Sequence, residues 1–265
     1  MRALVTGCST GIGRATAVEL TRRGFEVVAT ARRPETLDGL DVAEKLRLDV
    51  DDDDSVAEAA ARTGDIDALV NNAGVGIHAP VEKAPLGEFR SVLETNVLGP
   101  LRMIQAFLPR MRERGSGVIV NVSSIAGLVS SPLGGLYSAS KYALEAISEA
   151  LHYEAAHFGV RVAIVEPGGF DTSFGANRRV FGVDEPPYDE LDRIWEKAQA
   201  NLQGPVGQRP GPEVVARTIA DAVEGKERKL RWLVGDDAKL VMDVRRSMSD
   251  EEFEAAMRQT LQVDW

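Results

Sequence analysis

Short apolar runs alternate with longer amphipathic stretches along this chain, and few folds accept that order. The runs at 3–6, 26–30, 45–48, 68–71, 118–122, 161–165 and 230–234 are dense in Val, Ile, Leu and Ala. A strand with one wet face would alternate apolar and polar residues; these do not, so they read as strands buried on both faces. Segments of helical spacing lie between them, at 12–23, 55–61, 88–114, 137–157 and 212–224. Parallel strands need crossover connections, so this alternation predicts a parallel sheet. Right-handed crossovers to either side make it an α/β fold with a doubly wound, seven-stranded parallel sheet and helices on both faces. The 265 residues suffice for one such domain, 1–265, with no internal repeat or low-complexity linker.

Residues 170–212 break the rhythm. They are rich in Gly, Pro and aromatics, with one helix expected at 189–203. The segment leaves the C-terminal end of the sixth strand, the side on which open α/β sheets bind ligands, so a lid insertion is expected there. A helical extension is expected at 235–265, its second helix opened by the capping box Ser249-x-x-Glu252. Ser55-x-x-Glu58 predicts the same device after the acidic run at 51–54. The net charge of −10 argues against a nucleic-acid partner. Cys8 is the only cysteine, which suits a reducing compartment, and it reads as a small residue in a tight loop. His78, His152 and His157 have no metal-ligand spacing, so no metal is expected. The chain starts directly with strand and turn residues and has no apolar run of membrane-spanning length. The expected location is cytoplasmic, without a membrane span.

The loop after the first strand runs Thr6, Gly7, Cys8, Ser9, Thr10, Gly11, Ile12, Gly13 and opens the first helix. Glycines here let backbone N–H groups approach a pyrophosphate at the helix N-terminus, which points to a Rossmann-type dinucleotide site. The second strand ends at Ala31, Arg32 and Arg33. A carboxylate near this position would hold the ribose 2′-hydroxyl of NAD, whereas guanidinium groups accept the 2′-phosphate of NADP. The expected cofactor is therefore NADP(H) rather than NAD(H).

Tyr137 and Lys141 are four residues apart, one turn apart on one helix face. Lowering a tyrosine pKa by about three units takes about 4 kcal/mol. A cation about 4 Å away at an effective dielectric of about 20 supplies that much. Such a pair could exchange a proton with an alcohol or ketone near neutral pH.

Together, Thr6-Gly-x3-Gly-Ile-Gly13, Asn71-Asn-Ala-Gly74, Asn96, Ser124, Tyr137-x3-Lys141 and Pro167-Gly168 resemble the short-chain dehydrogenase/reductase family in order and spacing. The match spans residues 1 to 172. The resemblance implies that Tyr137 is the general acid/base. Lys141 would lower its pKa and hold the nicotinamide ribose. Ser124, chosen over Ser123 by the family spacing, would hydrogen-bond the substrate oxygen. Asn96 would interrupt the long helix and hold a water in a proton relay. Asp49 and Val50 would lie at the adenine, Asn72, Ala73 and Gly74 along the cofactor cleft, and Pro167, Gly168 and Thr172 at the nicotinamide. Thr10 matches a position that helps hold the 2′-phosphate, with Arg14 as a possible assistant.

Within the family, 27–33 and 166–170 look like the 17β-hydroxysteroid and retinol dehydrogenase-like branch, which implies a small-molecule carbonyl or alcohol substrate. Phe170, Phe174, Phe181, Tyr188 and Trp195 could face a bulky apolar substrate or pack the lid onto its own domain. His78 and Leu133 are candidate lining residues. A 3-oxoacyl carrier-protein reductase is an alternative, though the residues after Val234 exceed what such chains tend to carry. An NADP(H)-sensing regulator is another, and the retained Asn96, Ser124, Tyr137 and Lys141 argue against it. A homodimer through 99–114 and 137–157, or a homotetramer, is expected.

Overall fold

The computed structural model describes residues 1–204 and 206–261. β1 (Arg2–Val5) enters the centre of the sheet, and α1 (Gly11–Arg22) leads to β2 (Glu26–Ala31). β3 (Glu44–Arg47), α2 (Asp53–Thr63) and β4 (Ala68–Asn71) follow. The chain then makes a two-residue strand, β5 (Ile77–His78), before α3 (Leu86–Leu93), one π-helical turn (Glu94–Leu98) and α4 (Gly99–Arg114). β6 (Gly117–Val122), α5 (Gly135–Ala156) and β7 (Val160–Pro167) come next. The excursion holds α6 (Ser173–Ala176), β8 (Arg179–Val180) and α7 (Asp189–Gln203). α8 (Glu213–Glu224) leads to β9 (Arg231–Val234), and α9 (Asp236–Ser247) and α10 (Asp250–Leu261) form the tail. The expected excursion and tail include residues 205 and 262–265, which lie outside the described residues.

Seven strands pair in parallel in the order β3-β2-β1-β4-β6-β7-β9. The winding reverses between β1 and β4, so a crevice opens at their C-terminal ends. Both faces of the inner strands are buried, as the continuous apolar runs require. Ala3 and Val5 pack with Ala17 and Leu20 of α1 and Ile219 and Val223 of α8. Leu4, between them, points the other way, into Val56 of α2, Phe107 of α4 and Leu151 of α5. Truncating such a side chain, as in Leu4→Ala, costs about 2–5 kcal/mol. The loops at the strand ends are thus held by a close-packed sheet.

Two capping signatures have different outcomes. Ser249 and Glu252 exchange both bonds of the expected box: the Ser249 N–H donates to the Glu252 carboxylate at 2.8 Å, and the Glu252 N–H to Ser249 Oγ at 3.2 Å. Ser55 does not cap α2. Asp52 does, its carboxylate accepting from the N–H groups of Asp54 and Ser55. A carboxylate also carries a charge that favours the positive helix end, which a serine lacks. Ser55 Oγ instead accepts from the Asp49 N–H at 3.0 Å.

The expected long helix at 88–114 starts earlier, at Leu86, and is broken by the π-helical turn that contains Asn96. Part of the tail packs against the edge strand, α9 on β9, and the rest against the excursion, α10 on α7.

Candidate active site

The crevice between β1 and β4 is shaped by close backbone approach. Gly7 has φ +73°, and a Cβ there would lie 2.9 Å from Ala73 Cα. A Cβ on Gly13 would lie 2.3 Å from both Asn72 Nδ2 and Gly7 O. The Asn72 side chain fills that space and donates to Thr6 O (2.9 Å) and Gly7 O (3.2 Å). Thr6 Oγ1 accepts from the N–H groups of Asn72 and Ala73, both at 3.0 Å. Asn72 thus braces the glycine loop from beside it.

At the mouth of this loop, α1 begins after Thr10. Its first turn carries no acidic residue, and the Thr10 side chain does not cap it. The leading N–H groups and the positive end of the helix are left for an anion. The geometry fits a dinucleotide pyrophosphate.

At the end of β2, Arg32 and Arg33 are exposed, and among the described residues neither has a carboxylate within salt-bridge distance. Arg14 is occupied, donating to Thr36 O (3.1 Å) and Asp38 O (3.2 Å), so it braces the loop after β2. Asp49 is half-buried after β3. The Val50 side chain belongs to the core, where a Cβ on Gly99 would lie 2.9 Å from its Cγ2.

Asn96 is buried, and both ends of its amide are hydrogen-bonded. Its Oδ1 accepts from the Val75 N–H (2.9 Å), and its Nδ2 donates to Val75 O (2.9 Å) and Ser140 Oγ (3.0 Å). The side chain therefore ties the loop after β4 to α5. It also stands beside Gly74, where a Cβ would lie 3.3 Å from Asn96 Oδ1 and 3.9 Å from Lys141 Nζ.

Tyr137 and Lys141 share one side of α5. Lys141 Nζ lies 5.8 Å from the Tyr137 ring centroid and donates to Val122 O at 2.9 Å. Burial pushes the lysine down to about 8, against the opposing pull of Glu145. Burial also pushes the Tyr137 phenol up to about 12, with the Ser124 hydroxyl beside it pulling the other way. This corrects the sequence expectation of a lowered tyrosine pKa. A helical spacing reports proximity to a cation but says nothing of the desolvation around the phenol, and desolvation is the larger effect here. Ser124 Oγ also accepts from the Ala126 N–H at 3.1 Å and lies 3.5 Å from Pro167 O. Ser123 is buried behind it.

The excursion lies across this wall. β8 pairs with β5, His78 Nε2 meets Asp192 Oδ1 at 2.6 Å, and Arg179 donates to Glu88 at 2.6 Å. Ser173 Oγ donates to Thr10 Oγ1 at 2.9 Å, and Thr172 Cβ stands 3.5 Å from where a Gly11 Cβ would be. Thr172 Oγ1 caps α6. The aromatic residues divide. Phe174 sets its ring 5.6 Å from that of Tyr137, and Phe181 joins Val75, Ile77, Phe89, Leu136 and Tyr137 in one apolar cluster. Phe170 packs on the core and Trp195 against Ala198 and Leu261, so these two hold the excursion down. Tyr188 meets Glu82 at the surface. Leu133 is buried with φ +61°, and its carbonyl accepts from the Ala79 N–H at 2.9 Å. Cys8 is fully buried, its thiol pushed up to about 12 by burial, which suits a packing role.

Asp237 of α9 is a residue the sequence analysis missed. Its carboxylate accepts from the Gly169 N–H at 2.6 Å, beside the Pro167–Gly168 turn. No local pattern joins residues so far apart in the chain.

The short chain dehydrogenase family model matches residues 1–180. The chain belongs to the short-chain dehydrogenase/reductase family. As a member it is an oxidoreductase, and the family binds a nicotinamide dinucleotide. 17-beta-hydroxysteroid dehydrogenase type 1 of Homo sapiens is 37% identical to this short-chain dehydrogenase/reductase over 250 residues, covering 86% of this chain and 76% of that protein. A short-chain dehydrogenase from Streptomyces avermitilis superimposes with a TM-score of 0.80 at 37% identity, over 97% of each chain. A short-chain dehydrogenase from Burkholderia cenocepacia, solved in complex with NADP, superimposes with a TM-score of 0.76 at 28% identity, over 99% of this chain and 98% of that one.

Proposed function

We propose that this enzyme interconverts a secondary or primary alcohol and a ketone or aldehyde, using NADP(H), with Tyr137 as general acid/base and a bulky apolar substrate. The convergence of Tyr137, Ser124 and Lys141 on one wall of the cleft supports this reading most directly. The cofactor, when bound, supplies or accepts the hydride. Tyr137 gives its phenolic proton to the carbonyl oxygen in reduction and takes it back in oxidation. Burial makes the phenol a weaker acid than a free tyrosine, so release of that proton depends on the groups beside it, Ser124 and Lys141. Ser124 donates a hydrogen bond to the same oxygen as charge develops there. The Lys141 ammonium offsets the cost of the phenolate by up to about 4 kcal/mol if it approaches to about 4 Å at an effective dielectric of about 20. The Asn96 side chain positions the loop after β4, and its Oδ1, which accepts only from the Val75 N–H, keeps a second lone pair for a relay water.

Arg32 and Arg33, just after β2 and with no carboxylate at salt-bridge distance among the described residues, support NADP(H) over NAD(H). The NADP complex of a structural relative agrees with this. Phe174 and Phe181 give the tyrosine an apolar surround, which favours a large carbonyl compound, as does the hydroxysteroid named in the human relative. Exposed Leu98, Tyr142 and Tyr153 along the π-helical turn and α5 favour a homodimer through this side, which light scattering tests. Among the described residues no helix is long and apolar enough to cross a membrane, and we place the enzyme in the cytoplasm as one domain.

The test is NADPH oxidation against estrone, retinal, acetophenone, acetone and an acetoacetyl thioester. Turnover of the bulky apolar carbonyls supports the reading, and turnover of the thioester alone overturns the substrate class. Tyr137→Phe should keep NADPH binding and lose most turnover; near-normal turnover in that variant overturns the mechanism.

A further inference from the structure

Behind Lys141 the helix carries a second charged group. Glu145 follows it by one turn of α5, with its side chain only 6% exposed. Glu166 of β7 is 2% exposed, and both carboxylates meet the same guanidinium nitrogen, Arg231 Nη1 of β9. The Glu166 contact is 2.8 Å long. Arg231 Nη2 turns outward to Glu149 at 2.9 Å. Arg246 of α9 faces Glu166 through its charge, and the Ser123 hydroxyl after β6 faces Glu145. A Cβ on Gly127 would lie 2.9 Å from Ser123 Oγ and 3.2 Å from Glu145 Oε1, so the turn before α5 closes this pocket.

A buried carboxylate pair on one guanidinium is not fully compensated, because burying each charge costs several kcal/mol. One member therefore holds a proton more readily. Burial and the charge of Glu145 push Glu166 up to about 7. Burial raises Glu145 as well, but Ser123, Arg231 and Lys141 all pull it back down. Burial still leaves Glu145 above the usual carboxylate range, and its charge acts on Lys141 from one turn away along α5, without a direct ion pair, while Glu166 takes up a proton more readily.

We propose that Glu145 is a positioning residue of this site, its buried carboxylate supplying the counter-charge for the Lys141 ammonium while Arg231 holds that carboxylate in place. The inference rests on the assignment of Lys141 to the active site. Without it, burial would drive the lysine towards the neutral amine, and a neutral amine gives the phenolate no charge stabilisation. Glu145 touches no reacting atom and acts through Lys141.

The titration of Lys141, followed by the NMR shift of its ε-carbon in the full-length protein, tests this without needing a substrate. In Glu145→Gln the midpoint should fall by about one pH unit or more, the effect of removing a close opposite charge. Glu166→Gln removes a partner of the same guanidinium but not the counter-charge of Lys141, and its midpoint should stay within a few tenths of a unit, taking about 0.3 as the limit of resolution. An unmoved midpoint in Glu145→Gln, or an equal fall in both variants, overturns the proposal. If Glu145→Gln does not fold, the carboxyl carbon of Glu145 in the unmodified protein decides. An ionised group at neutral pH supports the proposal, and a protonated one overturns it. A failure here leaves the Tyr137→Phe result untouched, so the two readings are tested separately.

Discussion

Replacing Gly168 with alanine puts a methyl group where the Asp237 carboxylate sits. The new Cβ would lie 2.2 Å from Oδ1 and 2.4 Å from Oδ2 of Asp237, and the three nearest atoms all belong to that one side chain. The backbone of Gly168 is outside the left-handed region, so alanine meets no conformational barrier there. The carboxylate must swing away and give up the 2.6 Å bond it accepts from the Gly169 N–H. Losing a hydrogen bond to a charged group costs about 1.5–3 kcal/mol. Residual crowding adds about 1 kcal/mol. One kcal/mol moves the midpoint of a chain this size by about 2–4 °C, so Gly168→Ala should melt about 5–16 °C lower. Asp237→Ala loses the same bond without the clash. The double variant should therefore melt with Asp237→Ala alone, to within about 0.5 kcal/mol, rather than at the sum of the two losses. Thermal unfolding of the four proteins by circular dichroism reads this, and NADPH titration by fluorescence reads the effect on the nicotinamide-side turn. A double variant that loses the sum would refute the assignment of Asp237 as the reason for glycine at 168.

Arg32→Ala and Arg33→Ala should each weaken NADPH binding about tenfold, as loss of a charged contact worth about 1.5 kcal/mol implies, and leave NADH binding unchanged; equal losses for both cofactors in a titration would remove the 2′-phosphate role. Phe174→Ala deletes a ring 5.6 Å from Tyr137, a contact worth about 0.5–1.5 kcal/mol. It should lower kcat/KM for estrone or acetophenone more than for acetone, and an equal change would make Phe174 a packing residue only. Ketone reduction should decline as pH rises through about 8, because Lys141, lowered to about 8 by burial, loses its charge there while Tyr137 still holds its proton. A pH profile flat to 10 would show that turnover does not need the ammonium.

The sheet was legible because each strand is a local apolar run and each crossover a local helical pattern. The observed β4 has the expected bounds, and so does α7 within the excursion. The glycine loop was legible for the same reason, since its conformation depends on neighbours within a few residues. The capping of α2 was misread because Asp52 and Ser55 both carry capping oxygens, and the choice between them depends on whether Asp49 needs a partner. The two-residue pairing of β5 with β8 leaves no periodicity to find.

The sequence by itself determined the fold, the family and the positions of Tyr137, Lys141, Ser124 and Asn96, because those rest on short-range spacing and on motif order. Only the tertiary structure decided what surrounds them. Phe174 comes to Tyr137, Ser173 to Thr10, Asp237 to Gly169 and Arg231 to Glu145 across long stretches of chain. The charge states were decided there too: Tyr137 is raised and Lys141 lowered by burial, and burial is a property of everything packed around a group. Spacing along a helix can bring a phenol near an ammonium, but the dielectric in which they meet is set by the rest of the molecule.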